Sequence, residues 1–407
     1  MPISISEASR LILGAVAPVA SEILPARRAL GRVLAEPIVA REDTPFDALS
    51  AMDGYAVAAE SLPGRFRVAG SAVHAGAEPG PALAAGTTRR VMTGARIPDG
   101  ADAVVMQEEV LLEEGEFVRI QRGAKAGLHI RPAGDAIRAG ETVLAKGETV
   151  RARSMPLLLA SGHTSVIATR VPRIGVVTSG DELVEPGLPM RAGGVRETIR
   201  AGILAAVFEC GCEAVDIGLL PDDPNVIESK MASAAGLDGI VSIGGASVGE
   251  KDHTRASLEK VGMDLKFWGV EVKPGKPTAF GLLEKHPVFV LPGNPVSAFV
   301  MFEVLVRPAL RALLGGRALW RPSIRLPLAA SATRHTGRPE FLRARIDWAA
   351  GNVALAPDQG SHQIRGLGRA DALVFVGADA AALAEGEVHP AMWLGGEETE
   401  AEPTFRS

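Results

Sequence analysis

Five short segments concentrate the residues that could do chemistry. "TSGDE" (Thr178–Glu182), "PDDP" (Pro221–Pro224), "GGASVGEKD" (Gly244–Asp252), "KPGKP" (Lys273–Pro277) and "LPGNP" (Leu291–Pro295) mix glycine and proline with acids, lysines and hydroxyls. Glycine lets backbone N–H groups come close to a ligand, and helix N-termini attract anions. Thr178 and Ser179, with Gly180 beside them, and Gly244, Gly245 and Ser247 therefore make a candidate phosphate cradle. Lys273 and Lys276 would add point charges for the same phosphate.

The acids pull the other way. Glu182, Asp222, Asp223 and Asp252 lie on the same rim, and bare carboxylates would repel an anion. The combination predicts a divalent cation between acids and ligand, and magnesium, which takes one or two carboxylates with phosphate oxygens, fits best. The competing reading is that each acid caps its own helix: Asp223 precedes "PNVIESK" and Asp252 precedes "HTRASLEK".

Other motifs compete for the same segment. "GGASVGEK" departs from a P-loop because Glu250 stands where the lysine should follow the last glycine. "GASVG" (Gly245–Gly249) matches the nucleophile elbow of a serine hydrolase, with Ser247 as nucleophile. The histidines that would complete it are poorly placed: His253 is too near in sequence, and His286 enters its strand at the wrong end. No G-x-G-x-x-G follows a strand, so dinucleotide binding has little support.

The elements that must position these segments follow from pattern. Residues 173–318 alternate apolar strands with helices, which predicts a largely parallel sheet covered on both faces. In such sheets ligands bind beyond the carboxyl ends of the strands, where the five segments fall. Residues 46–140 form a β-rich region with a hairpin at Glu114-Gly115 in "LLEEGEFVRI". Residues 1–45 read as mainly helical and 141–172 as strand, helix and strand; the two together are expected to form a linking domain. Residues 319–407 return to strands, with "FLRARIDWAAGNVALAP" as a hairpin before an acidic tail.

Composition bounds the function. A chain of 407 residues with 47% hydrophobic and 22% charged content fits a multi-domain globular enzyme. A net charge of -5 offers no basic field for nucleic acid. Cys210 and Cys212 are too close to pair well and have no CxxC partner for zinc, so they read as core fillers in a reducing cytoplasm. "LILGAVAPVA" (Leu11–Ala20) lacks a net positive flank and reads as helix continuing toward "SEILPARRALGRVLAE", not as a signal peptide. No apolar run predicts a membrane span.

A final stretch, "SAMDGYAV" (Ser50–Val57), holds Tyr55, the one tyrosine of the chain, two residues after Asp53. Composition alone gives a strand end with a core aromatic. "VMTGARIPDGADAVV" puts Thr93 and Gly94 in a turn.

Taken in order, "SAMDGYAV", "MTGARIPDGADAVVMQEE", "TSGDEL", "GGASVG", "KPGKP" and "LPGNPVSA" resemble the molybdopterin molybdenumtransferase family, which includes MoeA and the E domain of gephyrin. The resemblance implies a doubly wound molybdopterin-binding α/β domain, a β-rich domain, a linking domain and a C-terminal β-barrel, assembled as a homodimer. It implies insertion of molybdate into adenylylated molybdopterin with magnesium, AMP leaving. Partners would include the adenylyltransferase of the same pathway and apo-molybdoenzymes. Asp53, Thr93, Glu182, Asp222, Asp223, Asp252, Pro292 and Pro295 fall on the family's functional positions. The "MDGYA" acid is expected to reach the α/β site of the other subunit, with Tyr55 anchoring its loop. Departures are "VRETIR", with Glu197 and Ile199 where a Y/F-D-S/T-N pattern is usual, His253 in place of an aromatic, and one extra residue before Ser50. They leave open a divergent molybdopterin-binding paralogue with weak insertion, or a gephyrin-like scaffold.

Overall fold

The computed structural model describes residues 1–232, 236–244, 254–334, 337–380 and 382–395. It forms two compact units: Met1–Glu22, Gly31–Val33 and Thr169–Ser407 in one, Ile23–Leu30 and Leu34–Ala168 in the other.

The first unit is built on a six-stranded sheet. Its order is Glu213–Leu220, Arg173–Ser179, Gly239–Ile243, His286–Leu291, Ala279–Leu283 and Met263–Trp268. The first four strands are parallel and the last two pairings are antiparallel. The central strands are mostly apolar because both faces are covered, with Thr178, Ser179 and Ser242 as buried exceptions. Ile174, Val176, Val241, Ile243, Phe289 and Leu291 face one core with Ile12, Ile203 and Leu310 of three helices. Val177, Ile240, Val288 and Val290 face the opposite core with Ile227 and Leu258. Each fully buried side chain of this size contributes about 1.5–3 kcal/mol, so the sheet is a rigid platform for what its edge carries.

Sequence patterning located the other five strands, but Ala279–Leu283 was not expected. Its turn to Leu291's strand is tight, at Glu284 and Lys285, so no helix intervenes to announce a new element. The long helix from Pro295 to Leu313 contains a π turn at Phe302–Val306.

One expectation is corrected. The first helix spans only Ile5–Ala15, started by Ser4, whose Oγ accepts from the Glu7 N–H at 3.2 Å. It does not continue: Val16 is extended, Ser21–Pro25 is a strand and Ala26–Arg28 a single 3-10 turn. Pro18 and Pro25 explain the stop, since each lacks an N–H and bars helical backbone at the residue before it.

The same unit carries an antiparallel five-stranded sheet, ordered Ser323–Pro327, Val388–Trp393, Ala372–Val376, Glu340–Asp347 and Asn352–Leu355. A bridge between Leu328 and Val353 joins its two edges and rolls it into a barrel around Leu342, Ala344 and Val374.

The second unit contains a six-stranded sheet in the order Ala103–Met106, Gly54–Val57, Thr87–Val91, Gly64–Val68, Phe117–Ile120 and Val110–Leu112. The hairpin at Gly115 is present, with Leu112 opposite Val118 and Gly115 at φ 74°. Thr142–Leu144, the helix Met155–Ala160 and Ser165–Thr169 follow as the strand, helix and strand expected. Among the described residues no helix is long and apolar enough to cross a membrane.

Candidate active site

In the second unit, the "SAMDGYAV" strand delivers its acid to a turn forty residues away in sequence. The Asp53 Oδ1 accepts from the Thr93 N–H at 2.7 Å and from the Thr93 hydroxyl at 2.8 Å. The two segments are laced by backbone bonds from Gly94 to Ser50 (2.8 Å) and from Ser50 to Ala95 (2.8 Å). Gly94 takes φ 79°, a left-handed turn conformation that glycine adopts at little cost. Gly54 has no room for a side chain, because a Cβ there would lie 2.2 Å from the Val105 carbonyl oxygen. Tyr55 is 6% exposed and packs in the core with Phe66 and Val105, so it anchors the strand that presents Asp53.

The Thr93 bonds, the backbone one first, hold the Asp53 carboxyl below its usual range, with Arg90 and His74 adding to the effect. Thr93→Val should therefore raise the Asp53 pKa toward the ordinary value, read by NMR titration. The sign follows from linkage: a depressed carboxyl pKa stabilises above its unfolded value and is lost as pH falls through the folded one. The variant should thus unfold more readily than wild type near neutrality and converge with it in acid.

In the first unit, the carboxyl edge of the parallel sheet carries Thr178, Ser179, Gly180 and Gly244. Thr178 and Ser179 are 2% and 8% exposed. Neither hydroxyl oxygen has a hydrogen-bond partner among the described residues. Buried polar atoms are nearly always paired, so two orphans at adjacent strand-end positions are candidates for bonding a ligand. Gly244, at φ 88°, comes so close that a Cβ would lie 2.6 Å from the Ser179 carbonyl oxygen. Its N–H donates to the Leu291 carbonyl at 3.1 Å, which draws three strand ends together. Gly180 lies against Glu182: a Cβ there would be 2.9 Å from Oε2.

The acids divide into separate roles. Asp222 pairs with Asp181, which sequence reasoning did not single out: each backbone N–H donates to the other's carboxylate, at 3.3 and 3.1 Å. Asp223 turns to its own helix, Pro224–Ala232, where Oδ1 accepts from the Asn225 N–H at 2.8 Å. The capping reading holds for this acid. Among the described residues no group of three or more acids, histidines or cysteines is gathered to hold a metal ion. Gly245, Ser247 and Asp252, and with them the hydrolase elbow, lie outside the described residues.

"KPGKP" lines a cleft of about 450 Å³ with Ser297, Arg338 and Gln359–Ser361. Lys276 is exposed there. Lys273 is tied back, its Nζ 2.8 Å from Glu340 Oε1. Glu340 is 2% exposed and its other oxygen meets Arg334 Nε at 3.3 Å. Pro292 is buried and Pro295 opens its helix, where the Val296 N–H donates to Ser361 at 3.2 Å. The buried Glu340 gave no sequence signal; the Gly360–Ser361 turn sits inside "QGSH", a motif visible in the chain.

The "VRETIR" departure has a local role. Glu197 is 2% exposed, and its Oε1 accepts from the Ile199 and Arg200 N–H groups at 2.8 Å each, capping the helix Ile199–Glu209. Ile199 packs against the main core. Cys210 and Cys212 are free and buried, and burial pushes the Cys210 thiol up to about 12.

Comparison with known proteins matches this arrangement over the length of the chain. Residues 3–162 match the MoeA N-terminal region (domains I and II), 175–312 a probable molybdopterin-binding domain and 325–392 the MoeA C-terminal region (domain IV). A molybdopterin molybdenumtransferase of Haemophilus influenzae is 38% identical over 80% of this chain and 81% of its own length. Molybdopterin molybdenumtransferase 2 of Mycobacterium tuberculosis is 33% identical over 94% of this chain and 97% of its own. The crystal structure of a molybdopterin biosynthesis MoeA protein from Pyrococcus horikoshii superposes with a TM-score of 0.85, at 29% identity over 97% of this chain and 100% of that one. With its three regions matched in order and the motif residues at the strand ends, the chain belongs to the molybdopterin molybdenumtransferase family.

Proposed function

We propose that this chain inserts molybdenum into molybdopterin, taking molybdate and the adenylylated pterin as substrates and releasing AMP. The observation that carries the reading is the strand edge at Thr178, Ser179 and Gly244. Two buried hydroxyls without partners among the described residues adjoin Gly244, which admits no side chain, and this suits close approach of a phosphate. There the Thr178 and Ser179 hydroxyls donate to phosphate oxygens, and Lys276 supplies a positive charge at the neighbouring cleft.

Magnesium takes few protein ligands and completes its shell with water and phosphate. Glu182 and Asp222 are the described acids of a type and location to hold it, and Asp252 would join them. Bound there, magnesium would neutralise phosphate charge as the bond to AMP opens. Asp223 is assigned to its helix cap. The protein is proposed to act in the cytoplasm as a homodimer in which Asp53 and Thr93 of one subunit complete the α/β site of the other. The capping role of Glu197 gives one departure a structural reason. Ile199, packed against the core, leaves its position without the polar amide of the family pattern, so the insertion assay decides between a competent transferase and a weak paralogue.

The test is release of AMP from adenylylated molybdopterin by the purified protein with molybdate. AMP should appear stoichiometrically with magnesium and fall to background when the metal is chelated. No AMP under any condition would overturn the reading.

A further inference from the structure

A second cavity, of about 260 Å³, lies on the barrel. Its floor is apolar, made by Ala344, Ala354, Leu355 and Ala370, and three arginines, Arg345, Arg365 and Arg369, line it. All three are exposed. No ion pair or side-chain hydrogen bond joins any of them to another of the described residues, which leaves the guanidiniums available to a ligand. Arg365 lies on the short helix Ile364–Leu367 and Arg369 just beyond its Gly368 cap. Asp358 is the one acid in the lining, and its field falls on the buried Arg343.

Three guanidiniums around an apolar floor form a specific recognition surface. Guanidinium binds phosphate and carboxylate in a planar fork and stacks on flat rings. We propose that this pocket binds a small organic anion that carries a phosphate or carboxylate next to an apolar ring. The site is separate from the strand edge described above, and its failure would leave the proposed reaction untouched.

The two cavities share one wall. The loop from Asp358 to Gln363 lines the arginine pocket on one side and supplies Gly360 and Ser361 to the "KPGKP" cleft. Arg343, 1% exposed, grips this loop through the carbonyls of Asp358, Gly360 and Gln363. The Gln359 amide pins it from within, bonding to Arg343 N and O at 3.0 and 2.9 Å. A ligand in the pocket therefore stiffens a segment that the cleft also uses.

The probe is 1-naphthyl phosphate, titrated into the full chain by fluorescence, with inorganic phosphate as the anion lacking a ring. Wild type should bind the naphthyl compound about tenfold more tightly than phosphate, reflecting the apolar floor. The triple variant Arg345→Ala/Arg365→Ala/Arg369→Ala should lose about tenfold in affinity, and Arg365→Ala or Arg369→Ala alone about threefold. Lys285→Ala, at an exposed turn that lines neither cleft, should stay within about twofold of wild type. Bound probe should slow amide exchange at Gly360–Ser361 in wild type and not in the triple variant. Equal binding by wild type and the triple variant, or as large a loss in Lys285→Ala, would overturn the assignment. Unchanged exchange at Gly360–Ser361 would overturn the coupling.

Discussion

Asp53→Ala is expected to lower the rate of molybdenum insertion by about 100-fold, the scale on which a single preorganised charged group contributes to catalysis. The expectation rests on how the acid is held. Both Thr93 bonds fall on Oδ1, at 2.7 and 2.8 Å, so Oδ2 is uncommitted among the described residues and the carboxylate stays ionised. Asp53→Ala gives up both Thr93 bonds, so near neutrality it should unfold at least as readily as Thr93→Val, a modest loss that leaves the fold intact. Asp53→Asn, isosteric and neutral, should resemble the alanine variant if charge is what matters. Mixing Asp53→Ala with Asp222→Ala subunits tests the shared site directly. Random exchange gives half mixed dimers with one intact site each, so about a quarter of wild-type activity should return. No recovery would show that Asp53 acts within its own subunit.

Glu340→Ala is expected to destabilise the unit that contains it by about 3 kcal/mol, the lower range for breaking a buried ion pair by removing one partner. Glu340 has a side chain 3% exposed and neutralises two cations, Lys273 and Arg334; the Arg334 side chain is itself 3% exposed. Arg334 keeps its bonds to the carbonyls of Gly377, Ala380 and Arg338, which limits the damage. The loss should appear in urea unfolding as a lower midpoint at similar slope. The Lys273 side chain would also be freed, leaving that residue held by its backbone bonds to Pro339 and Phe341, both 2.9 Å. Glu340→Gln should restore part of the stability by keeping the shape and hydrogen bonds, and an unchanged midpoint in Glu340→Ala would refute the role given to the pair.

What the sequence made legible follows from the range of the forces involved. The parallel strands and their ligand-bearing ends were readable because apolar runs such as "RIGVVTSG" and "PVFVLPG" need both faces buried, and alternation with helices sets the carboxyl ends of parallel strands on one edge. The Asp223 cap was readable as an alternative because capping is local. The bond between Asp53 and Thr93 was not: the two are forty positions apart, and only the family resemblance put them side by side. Glu340 was invisible because nothing in "RPEFLRARI" distinguishes an acid facing two cations from one facing water. The overextended first helix arose from weighing apolar spacing above Pro18 and Pro25. The missed Ala279–Leu283 strand has the same cause in reverse, a tight turn without punctuation that reads as one long segment.

The most direct test of the central claim is transfer of molybdenum itself. The purified protein, given adenylylated molybdopterin, magnesium and molybdate, should yield a product that activates an apo-molybdoenzyme in proportion to the molybdenum bound to the pterin. Activation equal to that of a control lacking the protein, with the pterin still metal-free, would contradict it.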